Sequence, residues 1–291
     1  MTLDIKSRLK AVAWKPKFQA FAVHFSISLL IFLTLLYLIL FHWYPSPFFT
    51  TDGGTQGLRL IIFVDLVLGP TLTFIVFKRN KPSLKFDLAI IAVAQAAALS
   101  YGIWTVHNER PVAVIFADDT FHPIPYYEFR ESGHKLTDLK KYGDHLPVTI
   151  YVELPAKNDL EARLKLFRTS FVTRTPLFMM GERYRRLDKT NLQEITTHAV
   201  NMDNYLKQDY LKDKKARMQQ AYHQFLRGLS KPPGDYLFLA LYARYCKCFL
   251  VVERATLKFV DVLKIPPPQV TQTVFKINPK QPAANPHLDK S

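Results

Sequence analysis

The sequence predicts an integral membrane protein: three N-terminal transmembrane α-helices followed by an α+β soluble domain with a C-terminal antiparallel meander and a disordered tail. Three observations lead there. Three long apolar stretches fill the chain before Val106, a charge-rich chain of ordinary globular composition follows, and from Ile265 the residues turn proline-rich. The mean hydropathy of −0.02 averages these unlike regions. The expected division is a cytoplasmic basic arm (1–17), a three-helix transmembrane region (18–106), a periplasmic α+β domain (107–264) and a flexible proline-rich tail (265–291).

The first apolar stretch, Phe18 to Phe41, holds no charged residue. A helix needs about 20 residues at 1.5 Å each to cross roughly 30 Å of hydrocarbon, so this one is long enough. It ends in His42-Trp43-Tyr44-Pro45 without a small-residue cleavage site, so it reads as a retained anchor, not a signal peptide. Leu58 to Phe77 and Phe86 to Val106 also reach the required length. The arm through Lys17 and the connector Lys78 to Lys85 are rich in Lys and Arg, whereas His42 to Gly57 has neither. The positive-inside rule therefore puts the arm and second connector in the cytoplasm, and an odd number of crossings delivers everything after Val106 to the periplasm. Trp43, Tyr44 and Trp104 then fall at the outer interface. Ile5, Leu9 and Val12 have helical spacing among basic residues, which fits either an arm lying on the inner leaflet or an unstructured topogenic arm.

Asp65 is the sharpest feature of the spans, because a carboxylate in hydrocarbon costs a few kcal/mol unless it finds a partner. Counting from the helix ends places Asp65 about 12 Å and Gln95 about 17 Å below the outer boundary, close enough to pair, with His24 deeper and a poorer match. Gly69-Pro70, one turn beyond Asp65, should free carbonyls and kink the helix, with Thr71 and Thr73 at hand to satisfy them. Asp65, Gly69, Pro70 and Gln95 are thus the candidate intramembrane site. Three readings stay open: an interhelical hydrogen bond that sets the bundle, a docking notch for a polar transmembrane helix, or a proton path. The last is weakened by the absence of repeats and of paired broken helices.

In the soluble part, Pro111 to Phe116 and Val148 to Leu154 read as strands, with Asp118-Asp119 as a turn. Asn158 with Glu161 forms a capping-box pattern ahead of Leu160, Leu164, Phe167 and Phe171, a stripe expected to face the core. Thr190 with Gln193 repeats the device ahead of Leu192, Ile195, Ala199, Met202 and Leu206, and Leu211, Met218, Tyr222 and Phe225 form a third stripe. Tyr236 to Tyr245, Cys248 to Glu253 and Leu257 to Leu263 predict the meander.

The net charge of +15 divides into +6 before Val106 and +9 after it. No zinc-finger, helix-turn-helix or RNA-binding pattern accompanies it, so nucleic acid is not an expected partner. Cys246 and Cys248 exclude a disulfide framework and lack further ligands for zinc; buried free thiols are expected, with a strained local bridge as the alternative. No P-loop, dinucleotide-binding glycine pattern, G-x-S-x-G elbow or H-E-x-x-H helix is present, which predicts no cofactor, no metal and no enzymatic activity. The basic run Glu182 to Arg186 fits a solvated loop or a contact with an acidic group.

Trp43-Tyr44-Pro45-x-Pro47, Gly53-Gly54, Asp65-x-x-Leu68-Gly69-Pro70-x-Leu72-Thr73, Lys85-Phe86-Asp87-Leu88, Gln95, Tyr101-Gly102 and Arg110-Pro111-Val112 resemble the TfpX/TfpZ family of type IV pilin accessory proteins. The resemblance runs from Phe18 to Phe121 and thins beyond. It implies a multi-pass protein of the bacterial inner membrane that assists the stability, assembly or surface display of a cognate pilin by contact, with the pilin and the lipid bilayer as partners. It carries over no catalytic residue. The alternative class is a membrane-anchored periplasmic enzyme acting on pilin glycans or envelope polymers, which the missing acid, base and nucleophile patterns disfavour.

Overall fold

The computed structural model describes residues 14–156, 158–208, 215–256 and 258–267. Most of the basic arm, Leu211, Leu257 and nearly all of the proline-rich segment lie outside the described residues. Three helical stretches are long and apolar enough to cross a membrane: Trp14–Trp43, Gly54–Val76 and Leu84–Glu109. The first is α1, Trp14–Leu38, closed by a π-helical turn over Ile39–Trp43. A short α2, Phe48–Thr51, lies in the connector. The second combines α3, Gly54–Ile61, a π-helical stretch Ile62–Leu68, and α4, Gly69–Val76; the third is α5, Leu84–Glu109.

Both π-helical stretches come just ahead of a proline. Tyr44 N–H reaches the Ile39 carbonyl at 2.7 Å, and Gly69 N–H reaches that of Val64, each five residues back. Pro45 and Pro70 have no N–H to offer, and the wider turn absorbs the defect in the backbone itself. The side-chain rescue expected from Thr71 and Thr73 is therefore replaced, and the Thr73 hydroxyl is engaged by His24 instead.

The rest of the described chain folds on a seven-stranded mixed sheet. Its strands are β1 Pro111–Ala117, β2 Thr120–Pro125, β3 Val148–Val152, β4 Tyr184–Arg186, β5 Tyr236–Tyr242, β6 Lys247–Glu253 and β7 Phe259–Leu263, in the order β4-β3-β1-β2-β5-β6-β7. The β1–β2 hairpin turns on Asp118 and Asp119, whose φ values of 47° and 63° lie in the left-handed region that aspartate tolerates. Strand β3 runs parallel to β1, β5 parallel to β2, and β5, β6 and β7 form the antiparallel meander. Central β1 is buried throughout because both faces are covered. Ala113, Ile115 and Ala117 pack with Phe129, Leu139 and Leu166, and Val114 and Phe116 with Ile195, Leu237, Leu250 and Phe48 from the connector.

The sheet's helices are α6 Tyr126–Glu131, α7 Leu136–Leu139, α8 Leu160–Thr173, α9 Lys189–Thr197, α10 Met202–Tyr205 and α11 Lys215–Arg227. Several differ from the sequence reading. Asp159, not Asn158, caps α8, accepting the Ala162 N–H at 2.9 Å. Asp188 caps α9 in a box with Asn191, in place of Thr190 with Gln193, because Asp188 lies where the chain is still extended. The stripe from Leu192 to Leu206 is broken: the chain leaves the helix so that Val200 N–H can bond the Phe238 carbonyl at 2.8 Å, and Asn201 caps α10. Only part of the α8 stripe faces the core. Leu166 packs there with Phe167 half-buried, while Leu160, Leu164 and Phe171 are exposed.

Candidate functional site

The three long helices meet around Asp65, whose side chain is only 4 % exposed. The π-helical stretch buries Asp65 alone among its seven residues. Ser28 Oγ donates to Asp65 Oδ1 at 3.2 Å, and Gln95 Nε2 donates to the same oxygen at 3.4 Å. The other carboxyl oxygen, Oδ2, is buried without a hydrogen-bond partner among the described residues. Gly69 makes the Gln95 approach possible: a Cβ there would lie 1.8 Å from Gln95 Nε2. Pro70, also buried, opens α4 and contributes backbone geometry. Asp65, Gly69 and Gln95 are thus brought together.

Ser28 escaped the sequence reading, although it lies ten residues into the first apolar stretch, about 15 Å from one boundary and near mid-span. His24, one turn from Ser28, is paired with Thr73, Nδ1 to Oγ1 at 2.6 Å, and not with Asp65. Lys17 Nζ donates to the Phe74 and Ile75 carbonyls at 3.3 and 3.2 Å, satisfying carbonyls at the end of α4.

A second assembly lies where the helices join the sheet. Tyr44, expected at a lipid interface, is instead buried, and its hydroxyl donates to the Val106 carbonyl at 2.9 Å at the end of α5. The connector then grips the β5–β6 turn. Tyr245 N–H bonds the Thr51 carbonyl at 2.9 Å, Arg244 N–H bonds Asp52 Oδ1 at 3.4 Å, and the Thr51 hydroxyl donates to Asp52 Oδ2 at 2.5 Å. The Arg244 guanidinium pairs with Glu109, the last residue of α5. Gly53 has a φ of 107°, and a Cβ there would stand 3.2 Å from the Tyr245 ring. Sequence reasoning missed this clamp because its partners are some 192 residues apart.

Burial pushes the Asp52 carboxyl up to about 6 despite the hydrogen bonds from Thr51 and Arg244. Beside it opens a recess of about 190 Å³ lined by residues including Glu109, His122, Tyr127, Glu128 and Arg244. His122 stacks on Phe178 at 4.2 Å, and burial pushes its imidazole down to about 4, so it is neutral at pH 7. Burial, with Glu131 nearby, also raises the Glu128 carboxyl.

Next to the clamp, Cys246 and Cys248 form a disulfide, where the sequence reading expects free thiols. Cys246 lies in the turn ahead of β6, so the pair is not held to the pleat of one strand, and the Cα atoms stand 5.7 Å apart. Among the described residues, no three His, Cys, Asp or Glu side chains are grouped to hold a metal.

Residues 5–53 match the family described as Fimbrial assembly protein FimB, a stretch that holds the first long helix and the connector as far as Gly53. Over 101 residues the chain is 38 % identical to the fimbrial assembly protein of serogroups C1 and C2 of Dichelobacter nodosus, covering 34 % of this chain and 76 % of that protein. The chain belongs to the fimbrial assembly protein family. Its relatives of serogroups E1 and I, from the same organism, are 38 % identical over 132 and 100 residues. Those matches cover 43 and 33 % of this fimbrial assembly family chain, and 51 and 38 % of the relatives, so it spans about half or less of their length. No solved structure matches.

Proposed function

We propose that this protein is an inner-membrane accessory factor of type IV pilus assembly, of the TfpX/TfpZ kind, which holds a cognate pilin by direct contact before it enters the fibre. The observation that carries the reading is the kinship with fimbrial assembly proteins, which includes the first long helix and the connector. In this reading the three helices cross the membrane, the arm is cytoplasmic and the sheet domain is periplasmic. A pilin waiting in the membrane, as the resemblance implies, has an apolar helix in lipid and a globular head outside it. The helical bundle and the clamped sheet domain offer one surface to each. Asp65, Gly69, Pro70 and Gln95 are the part of the bundle that meets the pilin helix, and Asp65 Oδ2, without a hydrogen-bond partner among the described residues, supports a donor arriving from it.

Deletion should lower pilin abundance or surface piliation, and the pilin should co-purify with the intact protein. Asp65→Leu should impair pilin handling while the protein stays inserted. Unchanged piliation together with no recoverable pilin contact would sink the accessory role and return weight to an envelope enzyme.

A further inference from the structure

The recess beside Asp52 holds more acceptors than the fold uses. Pro111, Pro123, Pro125 and Phe178 wall it, and Asp52, Glu109, Glu128 and Arg244 set its charge. Three carboxylates thus face one guanidinium, and Arg244 is already engaged: its side chain pairs with Glu109 and its backbone N–H with Asp52. Arg110 and Lys247 do not line the recess, and lie instead over the Tyr126 and Tyr242 rings at 4.6 and 4.9 Å. Glu128, partly buried on α6, makes no side-chain hydrogen bond or ion pair among the described residues, and the Tyr127 hydroxyl makes none either. His122 is set deeper. Its neutral imidazole stacks on Phe178 and stands nearly perpendicular to the Tyr242 ring at 5.9 Å, and its ring nitrogens have no hydrogen-bond partner among the described residues. Polar groups left in this way around an apolar hollow mark a place for a ligand.

The surplus of acceptors selects a cation that carries N–H donors, and a primary ammonium offers three. The rings of Tyr127, Phe178 and Tyr242 add cation–π attraction. At about 190 Å³ the recess is smaller than the roughly 300–1,000 Å³ of a site for a whole small molecule, so it suits a single charged group. Position names the source. Glu109 closes α5 five residues past the exposed Trp104, about 7.5 Å further along the helix axis. The headgroup layer on each side of the hydrocarbon is roughly 5–7 Å deep. With Trp104 at the outer interface, the recess stands at headgroup level, which rests on the reading that the three helices cross the membrane. A lysine of a partner protein carries the same charge, but a lipid headgroup is held at this level at high effective concentration. We propose that the recess binds the ammonium headgroup of an aminophospholipid and so moors the sheet domain to the bilayer surface.

The test places the full chain in nanodiscs of phosphatidylglycerol with equal amounts of phosphatidylethanolamine and phosphatidylcholine, and reads by native mass spectrometry which lipid stays bound. Phosphatidylcholine carries the same charge and phosphate but has no N–H to donate. Phosphatidylethanolamine should be retained at least fivefold over phosphatidylcholine. Glu128→Gln, which breaks no hydrogen bond or ion pair of the described fold, should bring that ratio to about one, and Tyr127→Phe should lower it about twofold. Asp65→Leu should leave it unchanged. Equal retention by the wild-type protein, or a ratio that neither Glu128→Gln nor Tyr127→Phe alters, overturns the proposal. So does loss of the retained lipid to a soluble lysine peptide at micromolar concentration, which would assign the recess to a protein side chain. Failure to enter any nanodisc overturns the proposal together with the membrane-spanning reading, whereas entry with equal retention overturns the proposal alone.

Discussion

At Gly69 even a methyl group would meet the Gln95 amide, so Gly69→Ala should push Gln95 away from Asp65. The expected loss is about 1–3 kcal/mol, from overpacking together with the interhelical hydrogen bond. Gln95→Ala alone should cost about 1 kcal/mol, and the double variant should be no worse than Gly69→Ala, since nothing then opposes the new Cβ. Unfolding in mixed micelles measures all three; strictly additive losses would show that Gly69 and Gln95 do not share this space. Asp52 and His122 give a second residue-scale test. Asp52 titrates near 6 in the fold, above its ordinary 3.8, so its contribution is full below pH 4 and is lost as pH rises through 6. His122 titrates near 4, below its ordinary 6.5, so its contribution is present above pH 6.5 and is lost as pH falls through 4. The two oppose each other, each by about 3 kcal/mol at most. Wild-type Tm should therefore change little between pH 4 and 6.5, Asp52→Asn should make it rise with pH, and His122→Phe should make it fall. Matching slopes in the two variants would refute the assignment.

At the scale of elements, the connector between the first two long helices couples the helical bundle to the sheet. Its α2 lends Phe48 to the sheet core, and its Thr51 and Asp52 hold the β5–β6 turn. Gly53→Val would place a branched side chain in a left-handed conformation and against Tyr245. It should cost about 1–3 kcal/mol and open the connector to protease. Limited proteolysis of the purified protein reads this as faster cleavage within residues 44–53; an unchanged cleavage pattern would mean that the clamp does not depend on Gly53. The π-helical stretch belongs to the same scale. Pro70 is visible in the sequence as a helix defect, but whether side chains or a rewound backbone repair it depends on neighbours, and Thr73 was drawn off by His24.

At the scale of the whole molecule, two basic segments on one side of an odd number of spans predict a cytoplasmic N-terminus and a periplasmic sheet domain. Alkaline phosphatase fused after Leu263 should be active and after Lys81 inactive, and the reverse pattern would overturn the orientation. The three long helices were legible in the sequence because hydrocarbon length and charge exclusion act on contiguous residues. The meander was legible for a similar reason, as strand patterning and turn residues are local. Asp65 and Gln95 could be matched by depth, because a helix converts residue number into distance. Only the tertiary structure decided that Ser28 joins them, that Gly69 leaves room for Gln95, and that Tyr44 and Asp52 turn inward to grip the sheet. It also decided that α8 offers Leu166 and Phe167 to the core and leaves Leu160 and Leu164 exposed. Helical periodicity shows that a stripe exists, but which side of a helix is buried depends on the shape of what it packs against, and that surface is assembled from strands far apart in the chain.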